Sequence, residues 1–445
     1  MNKNKLQNAV EFFQQEPGFK RLFHKFIQNY QSLGRLGGTA KLTNLTEVEQ
    51  ETLGGFMGKD FTKCSSVTIP VKDFQKAMGK TRFSGVDLLE LLFLYKGEQI
   101  LTKAEQQEEY LATKEQFFLE LIKKYPDTYC QQWLKHILAN KKGSKGILGA
   151  YRANSSLLKK KLINVLDAIK KLPLRNGDRP IVYHRLPVFA NSVTGDPHAF
   201  DINTQQGRFL VSALGFIRAL EDNSYRLVNN NNSEEIAELL SYFGLIRDDI
   251  LNFVTLTGIV ASEETTNKPL KWWQVCWEEG VVINAPLREI LSAPSFLPAN
   301  DKGVVFIVEN SGVFSELLTK FPSKYLPPLI CTNGQFKLAA LLLLDRLLKN
   351  NIIAYYSGDF DPEGLLMAQR LVSRYPANVR LWHYTEEDYI KAQSEVVLSK
   401  SRLNKLMNLE LEELRAVKDL MEKTKKAGYQ EKLIKDLLED IWKGR

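Results

Sequence analysis

The stretch YYSGDFDPEGLLMAQRL, Tyr355 to Leu371, places Asp359, Asp361 and Glu363 within five residues of one another. The residues before them read as an apolar strand that stops at Ser357, and those after as a helix that starts near Pro362. A helix N-terminus favours some negative charge. Three acids this close nevertheless repel one another unless a cation lies among them. Hard cations such as Mg²⁺ choose carboxylate oxygen, keep several waters, and complete their shell with substrate phosphates. Such an ion can polarise a phosphodiester, generate hydroxide and stabilise the leaving oxygen. The plain alternative is an acidic turn in which Asp359 caps the following helix.

The surrounding elements favour the cation reading. After residue 300 the chain alternates strand and helix: GVVFIVE, SGVFSELLTKF, LPPLICT, GQFKLAALLLLDRLLKN, IIAYYSG, PEGLLMAQRLVSRY and NVRLWHY. Short apolar strands alternating with amphipathic helices imply a parallel sheet covered by helices on both faces. Ligand sites in such sheets lie at the carboxyl ends of the strands. Glu309 ends the first of these strands, and Asp359 and Asp361 follow the third. The topology therefore brings all three to one edge, although Glu309 lies 50 residues from Asp359 in sequence.

VEN at 308–310 followed by GDFDPEG at 358–364 resembles a Toprim domain, the metal-binding unit shared by topoisomerases, primases and several nucleases. The form is similar to that of the A subunit of topoisomerase VI and its relatives. GFKRLFHKF, SLGRLGGTAKL, TGDPHAFD, VENSGVF and CTNGQ further resemble the fourth component of bacterial Wadjet anti-plasmid systems, over most of the chain to about residue 385. The resemblance implies an α/β C-terminal Toprim domain and a Mg²⁺-dependent endonuclease, with Mn²⁺ able to substitute. Glu309, Asp359 and Asp361 would hold the metal, Glu363 would hold a second ion or orient water, and Thr332, Asn333 and Gln335 would line the same edge. The implied substrate is double-stranded, circular plasmid DNA. The implied partners are an SMC-like ATPase and kleisin-type subunits, and a homodimer is among the assemblies it allows.

Two other readings stand beside the nuclease: a topoisomerase-like transesterase and a non-catalytic DNA-binding adaptor. The topoisomerase relatives use a nucleophilic Tyr upstream of the Toprim unit. Tyr183, Tyr225 and Tyr242 lie upstream here but in no matching motif, so hydrolysis is favoured.

The 445 residues carry a formal net charge of +8, and Asn140 to Arg179 alone holds eleven Lys or Arg against two Asp. Lys141, Lys142, Lys145, Lys159, Lys160 and Lys161 could contact phosphates, since clustered cations gain affinity by releasing DNA counterions; the other reading is a solvated helix face. Asp196 and His198, in TGDPHAFD, could approach DNA or metal, or could simply shape a turn before the next helix. No apolar run approaches a membrane span. The N-terminus carries no signal-peptide pattern, and Cys64, Cys130, Cys276 and Cys331 show neither zinc nor disulfide spacing. A reduced, cytoplasmic setting is expected.

The expected domains are 1–140, mainly helical; 141–300, a basic linker and a central α+β region; 301–385, the catalytic unit; and 386–445, C-terminal helices. The first region mixes helices and short strands as a winged-helix-like unit would. Thr46 and Glu49 form a capping box there.

Overall fold

A computed structural model describes the chain apart from residues 1, 178, 224, 226–232, 264, 267, 300, 301, 322–324 and 445. It is a mixed α/β protein, 57% helical, and it divides into two compact units, Met1–Lys141 and Lys142–Arg445.

The first unit is helical apart from one antiparallel ladder of Thr39–Thr43 with Ser66–Pro70. The capping box is present, with Thr46 and Glu49 satisfying each other's backbone amides at the start of helix Glu47–Met57. Its core is aromatic: Phe13, Phe19, Phe23, Phe26 and Phe74 are buried against one another. Helices Lys103–Lys124 and Thr128–Leu138 follow, where the apolar spacing places them.

The second unit is built on a six-stranded sheet. Its strands are β1 (Phe253–Thr257), β2 (Ile283–Pro286), β3 (Val304–Val308), β4 (Leu329–Cys331), β5 (Ile353–Ser357) and β6 (Val379–Leu381), in the order β6-β5-β3-β4-β1-β2. Helices α1 (Ser311–Lys320), α2 (Leu338–Leu347) and α3 (Pro362–Arg374) connect β3 to β4, β4 to β5 and β5 to β6. Strands β3 to β6 pair in parallel. Right-handed crossovers then put α1 on one face and α2 and α3 on the other.

The sheet is mixed, where a purely parallel one was expected. Both β4–β1 and β1–β2 are antiparallel, and the two added strands come from before residue 300. The sequence reads NFVTLTGIVA as one continuous strand, but Gly258 breaks it. Gly258 is left-handed (φ 64°), and a Cβ there would lie 2.5 Å from the Pro327 carbonyl carbon. The chain turns at that glycine, and Ile259–Ser262 pairs instead with Ser295–Pro298.

The C-terminal segment joins the same core. Leu406, Leu414, Val417, Met421, Leu433, Leu437 and Ile441 are buried in one cluster with the sheet strands. Lys426–Gly428 pairs with Gln393–Val397, and Gly428 also forms a backbone bridge with Phe360. Among the described residues, no helix is long and apolar enough to cross a membrane.

Candidate functional site

In the parallel pairing of β3 with β5, Val308 stands opposite Ser357. The chain leaves β3 toward β4 and leaves β5 toward β6, in opposite directions across the sheet. A crevice opens at the carboxyl ends of such a pair of strands. Glu309 and Asp359 lie there, one and two residues beyond the paired ends. Both are half-buried, and among the described residues neither is paired with a cationic side chain.

The electrostatics follow from that placement. Burial, then the charge of Asp359, raises the Glu309 carboxyl from its ordinary range to about 7. Asp359 rises to about 6, chiefly through burial and with help from Glu431 and Asp361; the Gln430 amide N–H, donating to Asp359 Oδ1 at 2.9 Å, offsets part of the rise. Among the described residues, Glu309 Oε2, Tyr356 OH and Ser357 Oγ are buried without a hydrogen-bond partner. Buried polar atoms in folded proteins are almost always satisfied. Here the orphaned atoms gather beside Gly358. A Cβ on that residue would sit 2.7 Å from Glu309 Oε2, 2.9 Å from Tyr384 OH and 3.0 Å from Tyr356 OH.

Asp361 and Glu363 are placed differently. Asp361 caps α3, accepting from the Gly364 N–H at 2.7 Å, the usual service of an Asp in that position. Its other oxygen accepts from Arg402 Nη2 at 2.5 Å. Glu363 accepts from Arg402 Nη2 at 2.7 Å and from Lys405 Nζ at 2.8 Å. Burial pushes Glu363 up, but these two cations outweigh it and hold the carboxyl at about 2. Among the described residues, no group of three or more His, Cys, Asp or Glu side chains is arranged to hold a metal ion. The expected trio thus resolves into a facing pair, Glu309 and Asp359, with Asp361 and Glu363 turned to Arg402. An ion held by one or two carboxylates, with water and phosphate oxygens completing its shell, fits the pair. The orphaned Glu309 Oε2 is the donor such an ion would satisfy.

The turn after β4 closes one side of the crevice. Asn333 and Gly334 are both left-handed, and the Gly334 N–H donates to the Glu309 carbonyl at 3.1 Å. Thr332 is buried, and its hydroxyl donates to the Gly334 carbonyl; it shapes the turn and does not line the edge as expected. Asn333 and Gln335 do line a cleft of about 860 Å³, together with Glu363, Arg247, Lys337 and Arg370. A second cleft of about 700 Å³ shares Arg247, Asp248 and Ser233 with the first and reaches Asp201.

Asp196 and His198 are not brought to the carboxylates. Asp196 accepts from the His198 N–H at 2.8 Å, and the His198 ring pairs with Asp201 at 3.0 Å in an exposed turn before helix Gln205–Glu221. The basic residues expected to contact phosphate are not among those that line these two clefts. Lys141 closes the first unit and Lys142 opens the second. Lys145 and Lys160 are exposed on helices Lys145–Ala153 and Ser155–Lys170, Lys159 is half-buried, and Lys161 donates to Gln205 at 2.7 Å.

Sequence reasoning missed Arg402, Lys405, Gln430 and Glu431, all from the C-terminal segment. None stands in a recognisable motif, and each reaches the site only because that segment folds back over the Asp359–Asp361 turn.

The fold and site define a mixed α/β protein with a pair of facing carboxylates at the switch point of its sheet. Two family models match the chain, the N-terminal one described as protein of unknown function N-terminus (DUF3323) over residues 36–261, and the C-terminal one (DUF2399) over residues 283–441. The first covers just over half the chain, and the protein belongs to that DUF3323 family. No curated protein matches it.

Proposed function

We propose that this protein is a metal-dependent DNA endonuclease whose C-terminal unit is a Toprim domain, cutting plasmid DNA as the nuclease of an SMC-like defence complex. The observation that carries the reading is the Glu309–Asp359 pair: two carboxylates at the carboxyl ends of adjacent parallel strands, both raised chiefly by burial, with one carboxylate oxygen left without a partner among the described residues. A structural ion pair would have supplied its own cation, as Arg402 does for Asp361 and Glu363. The two family models are also typical of the fourth-component proteins of Wadjet systems.

Mg²⁺ or Mn²⁺ held by Glu309 and Asp359 would supply Lewis-acid polarisation of a phosphodiester and a hydroxide nucleophile at neutral pH. The chain's own residues do the rest. The Gln430 amide fixes the Asp359 carboxylate, and the Gly334 amide fixes the backbone at Glu309. Arg247, Lys337 and Arg370 line the adjoining cleft, where they would hold a phosphate backbone without reading sequence.

The test is a plasmid-cutting assay with purified full-length protein and its SMC-type partners. Cutting is expected with Mg²⁺ or Mn²⁺ and is expected to vanish in EDTA. Cutting that persists in EDTA would reject the reading. An adaptor would instead bind DNA and leave it intact with every divalent ion.

A further inference from the structure

The four acids of the site split into two pairs with opposite needs. Every carboxylate oxygen of Asp361 and Glu363 accepts from the chain itself. Asp361 Oδ1 takes the Gly364 amide and Oδ2 takes Arg402 Nη2. Glu363 Oε2 takes Arg402 through both Nε, at 3.1 Å, and Nη2, at 2.7 Å, and Oε1 takes Lys405 at 2.8 Å. Among the described residues Glu309 and Asp359 have no such cationic cover: Oε2 of the first is buried without a partner, its carboxyl is eased by the Asp359 backbone, and the second accepts from the Gln430 amide.

We propose that Arg402 and Lys405 stand where a two-ion site would hold its second cation, so that the protein takes a single divalent ion, on Glu309 and Asp359. The inference rests on the metal-dependent reading above. A guanidinium spans two carboxylates with fixed, directed donors, as a bridging ion would, but it cannot exchange or ionise a water. With Lys405 it keeps Asp361 and Glu363 charged and ordered at the head of α3, and the two positive charges repel an added cation there. Arg402 comes from helix Lys400–Leu403, after the last strand of the sheet, so the C-terminal segment completes the electrostatics of the site. We assign it a positioning role.

The test counts ions without DNA or catalysis. Full-length protein is titrated with Mn²⁺ by calorimetry, and the bound ion is examined by electron paramagnetic resonance. The wild-type chain is expected to bind one Mn²⁺, with the spectrum of an isolated ion. The Arg402→Gln/Lys405→Gln variant is expected to bind two, with spin coupling between them, and Arg402→Lys, which keeps the charge, is expected to bind one. Two ions on the wild type would overturn this inference alone. A single ion on the double variant, with its thermal unfolding still cooperative, would also overturn it. No Mn²⁺ on the wild type, or binding that survives Glu309→Gln together with Asp359→Asn, would overturn the metal reading and this inference with it.

Discussion

Val308 stands directly opposite Ser357 in the parallel register of β3 and β5, and this levels Glu309 with Asp359 at the mouth of the crevice. Helices cover both faces of the sheet here, and a slip of one residue in either strand would exchange the side chains packed on the two faces. Val305, Val308, Ala354 and Tyr356 are all fully buried, so packing fixes the register that the site depends on.

Glu309→Gln and Asp359→Asn each remove one charge from that pair. Each is expected to lower plasmid cutting by about a hundredfold or more, the scale of losing a group that supports the reacting charge. DNA affinity should stay level or rise, because a repulsive charge near the phosphates is gone. Parallel cutting and gel-shift assays check both halves, and cutting at wild-type rates by both variants would remove the site.

The same pair makes stability depend on pH. Glu309 and Asp359 hold protons more tightly folded than unfolded, with folded values of about 7 and about 6. Between roughly pH 4 and 7 the folded state therefore carries more protons, and stability falls as pH rises through that window. With partial exposure allowed for, the loss is on the order of 3 kcal/mol in the metal-free protein. Thermal melts in EDTA from pH 5 to 8 should show Tm dropping by several degrees, with Glu309→Gln flattening most of the slope. A Tm that climbs over this range would contradict the placement of the pair.

Gly358 is required for space and not for its backbone angle. Gly358→Ala would set a methyl group 2.7 Å from Glu309 Oε2 and 2.9 Å from Tyr384 OH, and the carboxylate is the group free to move. Mn²⁺ affinity should fall by roughly 10- to 100-fold, as it does when the support of a ligand is disturbed, while melting stays cooperative. Tyr356→Phe provides the contrast. It removes a buried hydroxyl that has no partner among the described residues, so stability should hold or rise by about 1 kcal/mol. A large loss of stability in Tyr356→Phe would mean that the hydroxyl is bonded after all.

Much of this site could be read from spacing. Apolar strands of five residues alternating with helices bring Glu309 and Asp359 to one edge, because strand ends and crossovers follow a small set of rules. Two things were hidden. Strands β1 and β2 enter the sheet from an earlier region through long-range pairing, which leaves no local signal beyond the glycine at 258. Arg402, Lys405 and Gln430 reach the acids across 39 to 71 residues of chain, and a lone Arg in an amphipathic tail looks like any solvated charge. The GDFDPEG motif and the strand-end Glu309 therefore supply four acids, whereas the tertiary fold decides which of them Arg402 and Lys405 neutralise.

The cleft beside the acids gives a binding prediction independent of cutting. Arg247 is exposed and donates to the Ser233 hydroxyl, and Lys337 lies 4.0 Å over the Phe253 ring. Neutralising each to Gln should weaken DNA binding alike on unrelated sequences. It should also lower the slope of log K against log salt by about 0.9 for each phosphate that is no longer neutralised. Anisotropy measurements in EDTA separate this from catalysis. Lys145→Gln with Lys160→Gln serves as the comparison: an unchanged slope there would assign the basic helices to solvent and the phosphate path to the cleft.

The last prediction concerns the nucleophile. Tyr183, Tyr225 and Tyr242, the upstream tyrosines a transesterase would draw on, all line one cavity of about 500 Å³ beside Arg374 and Asp345. Tyr242 donates to Glu221 at 2.8 Å, with the Arg218 guanidinium 3.7 Å from its ring centre. Burial raises both Tyr225 and Tyr242 above the ordinary phenol range, which disfavours the phenolate that attack on phosphorus needs. Under the proposed hydrolysis water is the nucleophile, and the cut ends are expected to be free. A reaction quenched in hot detergent should show no labelled DNA migrating with the polypeptide, and Tyr183→Phe, Tyr225→Phe and Tyr242→Phe should each keep most of their cutting activity. A detergent-stable adduct that disappears in one of these three variants would replace hydrolysis with transesterification and give that tyrosine the catalytic role.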